Sequence, residues 1–129
     1  MCNEEDQMKT LELARHFIDC IERGDLDAAR ACFHEDAGIW HNYDGVTQTV
    51  DQNMRVAANI VDKTRSRKYD YKRLLEIDGG YLQQHTLRIV AQDGKELAAE
   101  AIAVVLVEDG KIKRIEEYLD PTPLAPLRG

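Results

Sequence analysis

The sequence predicts an α+β domain in which helices precede an antiparallel sheet. Apolar residues recur at steps of three and four up to about residue 64, as in amphipathic helices, and alternate from about residue 68 onward, as in strands. Asp-Gly pairs at 78–79, 93–94 and 109–110 separate the alternating segments and favour tight hairpins. We expect the element order α-α-β-α-β-β-β-β, with a curved, mostly antiparallel sheet that curls over the helices to bury its inner face.

The first two helices are predicted over residues 5–23 and about 25–33. Gly24 ends the first helix, and Asp25 is a suitable N-cap for the second, because its carboxylate can accept from a free backbone N–H. One apolar stripe runs along the first helix: Leu11, Ala14, Phe17, Ile18 and Ile21. This stripe indicates a helix with one face on the core.

A short strand and a third helix follow, over 37–42 and about 47–64. The helix is indicated by its own apolar stripe: Val50, Met54, Ala57, Ala58 and Val61. The alternation of the short strand fits two arrangements. Either Ile39 and His41 face the core, or Trp40 and Asn42 do.

Four further strands form the predicted meander. They cover about residues 68–77, 80–91, 95–107 and 111–119. Prolines occur only after these strands, at positions 121, 123 and 126, so residues 120–129 are predicted to form an extended tail.

The composition fits one domain over 1–129. Of the 129 residues, 43% are hydrophobic and 32% charged, and no repeat or linker divides the chain. The formal net charge of −7 argues against nucleic acid as a partner, because phosphate backbones repel an acidic chain. The longest apolar run, 101–107, is too short to span a bilayer, and the acidic N-terminus is unlike a signal peptide, so no membrane partner is expected.

The cysteines and the motif content favour a cytoplasmic protein without a metal or cofactor. Cys2, Cys20 and Cys32 are odd in number and scattered, which argues against a disulfide framework and fits a reducing compartment. No metal-binding spacing, phosphate-binding loop or dinucleotide-binding motif occurs in the sequence.

Polar residues lie on strand faces that should be buried. Gln83 and His85 share a face of the strand 80–91 with aliphatic residues, and Glu117 lies between two aliphatic residues of the strand 111–119. A carboxylate and an imidazole on one concave face can act as a general acid/base pair, so His85 and Glu117 are the candidate catalytic residues. The alternative is that they are a satisfied polar pair in the core with no chemistry.

The strand 95–107 is rich in alanine on one face. That face holds Leu97, Ala99, Ala101, Ala103 and Val105. Small side chains there either leave a cavity for an apolar ligand or allow close packing of helices on the sheet, and the pattern favours neither. The opposite face is also largely apolar, which suggests that the sheet of a second copy covers it in a homodimer.

Several motifs along the chain carry a resemblance to a known family. They are Arg15-His16-Phe17, Gly24-Asp25-Leu26-Asp27, Phe33-His34-Glu35-Asp36-Ala37, Trp40-His41-Asn42, Gly110-Lys111-Ile112 and Glu117-Tyr118-Leu119-Asp120. On these motifs the chain resembles the NTF2-like superfamily, and within it the SnoaL-like group, over nearly its whole length. The resemblance implies a cone in which a curved sheet wraps around helices and encloses an apolar pocket, often as a dimer through the sheet.

The enzymes of this superfamily offer two comparisons for site residues. The oxyanion-hole tyrosine of the ketosteroid isomerases falls at Phe17 of this sequence. Their catalytic base falls at or beside His41, and their oxyanion-hole aspartate falls near Ala103. Both oxyanion donors are therefore missing here, which argues against ordinary ketosteroid isomerisation.

The second comparison is with limonene epoxide hydrolase. The tyrosine and asparagine that hold the water there resemble Trp40 and Asn42, and the Arg-x-Asp pair resembles the run 83–85. A further aspartate matches Glu117. The resemblance thus implies that Asn42, Gln83, His85 and Glu117 meet in one pocket, although glutamine replaces the arginine and histidine the aspartate.

We therefore expect a cytoplasmic homodimer with a pocket for a small apolar organic molecule. The first hypothesis is acid/base catalysis of isomerase, cyclase, dehydratase or hydrolase type. His85 would be the base and Glu117 its orienter or the acid, while Asn42 and Gln83 position the ligand. The alternatives are a binding module without catalysis and a dimeric adaptor with a vestigial pocket.

Overall fold

The computed structural model of the chain describes residues 4–127. Cys2 and the last two residues of the predicted tail lie outside this range. Among the described residues, no helix is both long and apolar enough to cross a bilayer.

The observed elements follow the predicted order closely. The helices are α1 (Glu4–Arg23), α2 (Leu26–Arg30) and α3 (Val50–Lys63). The strands are β1 (Phe33–His41), β2 (Thr47–Thr49), β3 (Thr64–Ile77), β4 (Gly80–Ala91), β5 (Glu96–Glu108) and β6 (Lys111–Leu119). The α+β prediction is confirmed, with one additional short strand, β2, between β1 and α3.

Local chemistry explains where the helices begin and end. Gly24 adopts φ +74 after α1, a left-handed conformation that glycine takes without a steric penalty. Asp25 caps α2 as predicted, since its side chain accepts from the Ala28 N–H. Thr49 and Gln52 form a capping box at α3, so α3 begins later than predicted and 47–49 is left to pair with β1.

All six strands form one sheet in the order β2-β1-β6-β5-β4-β3. Every neighbouring pair is antiparallel except β1 and β6, which run parallel. The inner face of this curved sheet packs against α1 and α3, and Phe17, Ile39 and Met54 belong to the core cluster formed there. The fold is the predicted cone.

A bulge in β6 changes the face on which Ile112 lies. The pairing of β5 with β6 shifts between Leu106 and Val107, so that Leu106 pairs with Arg114 and Val107 with Ile112. The extra residue lets both Ile112 and Ile115 be buried, although strict alternation places them on opposite faces.

The prediction of an extended C-terminal tail is wrong over the described residues. Thr122–Leu127 forms a 3-10 helix. Proline fixes φ near the value that such a helix needs, and Leu124 and Leu127 pack beside Ile89 in a second apolar cluster. Lys63 Nζ also donates to the Leu127 carbonyl at 2.8 Å, which ties the tail to the end of α3.

Substitution of Gly80 tests the packing at the start of β4. A Cβ atom there would lie 1.8 Å from the Val105 carbonyl oxygen, which is backbone and cannot move aside. We expect Gly80→Ala to lower the free energy of unfolding by ~1–3 kcal/mol, the usual cost of overpacking. Urea unfolding measures the change.

Gly38→Ala is the matched control. Its added Cβ would meet the Thr47 methyl at 2.8 Å, which is side chain and can rotate. An equal loss of stability in both variants would contradict the backbone clash as the cause.

Candidate functional site

A cavity of about 280 Å³ lies between the inner face of the sheet, α1, α3 and the 3-10 helix. Most of its wall is aliphatic or aromatic, as in sites for small organic molecules. Ala99 and Ala101 of β5 line it, so the alanine face leaves space here rather than drawing a helix close. Four candidate residues from the sequence reach this wall: Phe17, His41, His85 and Glu117.

Glu117 and His41 form a contact on the cavity wall. Glu117 Oε1 lies 3.2 Å from His41 Nε2, and the side chains are 24% and 11% exposed. The contact follows from the sheet, because His41 of β1 pairs in register with Glu117 of β6. Of the two arrangements left open for the short strand, the structure has the one in which Ile39 and His41 face inward.

His85 makes a different hydrogen bond, with Gln83 on the same strand. Gln83 Nε2 donates to His85 Nδ1 at 2.9 Å, and both residues are buried. The Tyr69 ring packs against the imidazole with the ring centroids 4.8 Å apart. Burial lowers the pKa of His85, and this effect exceeds the opposing attraction of Glu117 and Glu100 for the charged ring.

The structure gives Glu117 a different histidine partner from the one the sequence suggests. His85 is on β4 and Glu117 is on β6, with β5 between them. Since neighbouring strands are ~4.8 Å apart, the two backbones are separated by roughly 10 Å. The expected His85–Glu117 pair is replaced by two pairs, His41–Glu117 and Gln83–His85, on either side of the alanines of β5.

The pocket implied by the resemblance is only partly assembled. Trp40 faces away from the cavity and packs on Tyr118, with ring centroids 5.2 Å apart. Asn42 is exposed, and its Oδ1 accepts from the Leu119 N–H at 2.9 Å, so it fastens the end of β1 to β6. Both residues lie outside the cavity wall because side chains alternate along β1, and Ile39 and His41 are the ones that face inward.

Gln83 and Ala103 are buried on the inner face without lining the cavity. The sheet register places Ala103 between Gln83 of β4 and Glu117 of β6. Gln83 therefore contacts the cavity residue His85 without lining the cavity itself, and Ala103 separates the two polar pairs.

Sequence reasoning missed Tyr69 as a cavity residue. Tyr69 of β3 lines the wall and is directly opposite Leu87 on β4. Burial raises the pKa of its phenol, and Glu117 and Glu22 act in the same direction, so the hydroxyl keeps its proton. The only sequence signal for an inward-facing Tyr69 was its spacing of two residues from Tyr71, in a strand in which most of the neighbouring residues are charged.

The cavity also has polar groups from its helical side, Asn53 and Asn59 of α3, which the sequence analysis did not identify.

No group of three or more His, Cys, Asp or Glu side chains is placed to hold a metal ion in the part of the chain that the structure describes.

Comparison with known proteins identifies the family. A family of SnoaL-like domains matches residues 14–115 of the sequence. A search of curated proteins finds no match to this chain.

Solved structures resemble the chain along almost its whole length. One is an NTF2-like protein of unknown function from Burkholderia pseudomallei, with a TM-score of 0.76 at 17% identity, covering 92% of this chain and 96% of that one. Another is an LEH-like epoxide hydrolase from M. tuberculosis, with a TM-score of 0.77 at 13% identity, covering 95% and 90%. A third, PrhC from Penicillium brasilianum, has a TM-score of 0.81 at 14% identity, covering 94% and 86%. At these identities the likeness shows the fold.

Acidification is expected to destabilise the protein through His85. Because burial lowers the pKa of His85 below its ordinary value near 6.5, the unfolded chain takes up a proton at a pH where the folded chain does not. The stabilising contribution is complete above pH ~6.5 and is lost as the pH falls, by at most about 1.4 kcal/mol per pH unit from one group.

Urea unfolding at pH 7.5 and at pH 5.5 measures this loss, and His85→Gln should reduce it. A variant with the same pH dependence as the wild type would contradict His85 as its source.

Proposed function

The chain belongs to the SnoaL-like domain family, and from that premise we propose that it is an enzyme that moves protons on a small organic molecule bound in the cavity. The single observation that carries the proposal is the contact of 3.2 Å between Glu117 and His41 on a mostly apolar wall. A carboxylate held by an imidazole in such a place is suited to general acid/base catalysis.

The contact divides the roles between the two residues. His41 Nδ1 is buried and has no hydrogen-bond partner among the described residues, so the ring meets the site through Nε2, at Glu117. We assign proton transfer to Glu117 and the orientation of its carboxylate to His41. This assignment replaces the expectation that His85 is the base.

The proposed step is proton abstraction next to a carbonyl group. Glu117 takes the proton from the carbon, the electron pair of the C–H bond becomes the enolate, and the protonated Glu117 returns the proton to another carbon. The apolar wall suits this chemistry, because a weakly polar surrounding strengthens the interaction of the site with developing charge. Cyclisation, dehydration and addition of water begin with the same base, and the similar epoxide hydrolase structure keeps water addition among the candidates.

The proposal is tested with Glu117→Gln, which keeps the shape of the side chain and removes its basicity. We expect turnover of the active compound, found by screening enolisable ketones, lactones and epoxides, to fall by ~10²–10⁴-fold. Binding should stay within a few-fold of the wild type, as measured by displacement of the dye 1-anilinonaphthalene-8-sulfonate.

Glu116→Gln is the matched control, since Glu116 is the preceding residue and pairs with Arg114 at 2.9 Å instead of reaching the cavity. If the wild type binds members of the panel and turns over none, the enzyme proposal fails and the binding-module alternative stands.

We further propose that the protein is a homodimer that pairs through the outer face of the sheet. This face carries exposed apolar side chains: Leu75, Ile102, Leu106 and Tyr118. Ile102 and Tyr118 are directly opposite each other across β5 and β6, so the apolar surface is continuous there.

Charges around this apolar surface support a second copy as its partner. Lys72 pairs with Glu100 at 2.7 Å and Arg88 with Asp70 at 2.5 Å, both on the sheet. Because these charges are neutralised within one chain, two copies can meet there in spite of the net charge of −7.

Ile102→Lys is expected to convert the dimer into a monomer, because it places an unpaired charge at the centre of the contact. Sedimentation velocity at about 20 μM protein measures the mass. Val46→Lys is the control, since Val46 is also an exposed apolar residue but lies in the segment between β1 and β2. A wild type that sediments as a monomer would overturn the dimer.

We also propose a cytoplasmic location. The support is that Cys20 and Cys32 are buried free thiols, which a reducing compartment preserves.

A further inference from the structure

The hydrogen bond between Gln83 and His85 fixes which ring nitrogen of His85 carries the proton. An amide N–H can only donate, so His85 Nδ1, at 2.9 Å from Gln83 Nε2, must be the acceptor. In a neutral imidazole the proton is then on Nε2. The ring cannot use Nδ1 as a base while Gln83 occupies it.

The remaining nitrogen is free for a ligand. His85 lines the cavity, and no protein group in the described part of the chain is hydrogen-bonded to Nε2. Tyr69 packs against one side of the ring, and the buried Gln83 holds its Nδ1 edge, so the ring has a fixed orientation. Nε2–H is therefore a preoriented donor.

We infer that His85 is a neutral hydrogen-bond donor to a carbonyl or enolate oxygen of the ligand, and that Gln83 is the positioning residue that fixes its tautomer. The inference rests on the proposed function, and it specifies the ligand as a compound with an oxygen that becomes negative during the reaction. A neutral ring is suited to this role, because it donates without giving up its proton to the enolate.

The sheet places this donor and the base on opposite sides of one space. His85 is on β4, Glu117 is on β6, and Ala101 of β5 pairs directly with His85 between them. The alanine leaves room for the ligand, whose oxygen lies at His85 and whose acidic carbon lies toward Glu117. The separation that prevents a His85–Glu117 hydrogen bond is what makes room for the ligand.

Burial supports the neutral state of the ring. The pKa of His85 is lowered by desolvation, even though Glu117 and Glu100 favour the charged form. Tyr69, which also faces the ring, keeps its phenolic proton because burial raises its pKa. Tyr69 is therefore not a phenolate that could take the proton from Nε2.

The test is nuclear magnetic resonance of ¹⁵N-histidine-labelled protein at pH 7.5. We expect a pyridine-type nitrogen at Nδ1 of His85 and a protonated, pyrrole-type nitrogen at Nε2. Gln83→Glu should move the proton to Nδ1, since a carboxylate accepts where the amide donated. Gln84→Glu is the control, because Gln84 binds Arg73 at 2.6 Å on the outer face, and it should leave the His85 signals unchanged.

A second variant covers the case in which Gln83→Glu does not fold. Gln83→Met is neutral and of similar length, and it should release the tautomer and give averaged signals for the two nitrogens. A wild-type ring protonated at Nδ1, or an Nε2–H signal unchanged by both substitutions, would overturn the role of Gln83.

The donor role is tested separately with 2-naphthol, an apolar probe with one oxygen. At saturation the Nε2–H proton signal of His85 should move downfield, and the shift should be absent in Gln83→Glu. Saturation without a shift in the wild type would overturn the donor. These measurements need no turnover, so a protein with the expected signals and no catalysis would refute the enzyme proposal and leave His85 as a ligand-binding residue.

Discussion

The parallel pairing of β1 with β6 is the constraint on which the rest of the structure depends. Every other strand pair is antiparallel, so this pair alone joins the two ends of the fold in the same direction. It places β6 inside the sheet, buries Ile39 and Ile115 on one face, and sets His41 in register with Glu117. A slip of β1 by one residue would turn His41 to the outer face and break its contact with Glu117.

The site combines two pairs of polar side chains, each held by its own contact, with small alanine side chains between them. His41 and Glu117 occupy one side of β5 and Gln83 and His85 the other, and each pair is held by its own contact. The alanines of β5 between them contribute little volume, which is why a cavity of about 280 Å³ persists on the inner face of the sheet. Each of these four side chains thus has one partner before any ligand arrives, and the ligand meets an arrangement that is already oriented.

The sequence predicted the strands and their inward faces well, because alternation and Asp-Gly turns act over short distances. It placed Gln83, His85 and Glu117 correctly on buried faces. It paired His85 with the wrong side chain, because which strands are neighbours depends on the order of the whole sheet. The sequence did not predict the bulge that buries Ile112 or the 3-10 helix of the tail. Both depend on packing partners that are distant in the sequence.

The closure of the sheet also has a consequence for how the chain reaches this state. Asn42 and Leu119 are joined by a hydrogen bond although they are 77 positions apart in the sequence. Contacts between such distant residues form late and slow the folding of a domain, because a long loop must close before they stabilise it. During synthesis, therefore, the edge of β1 that pairs with β6 stays unpaired until β6 has left the ribosome. The His41–Glu117 contact cannot exist before that moment, so the proposed activity would report the completion of folding.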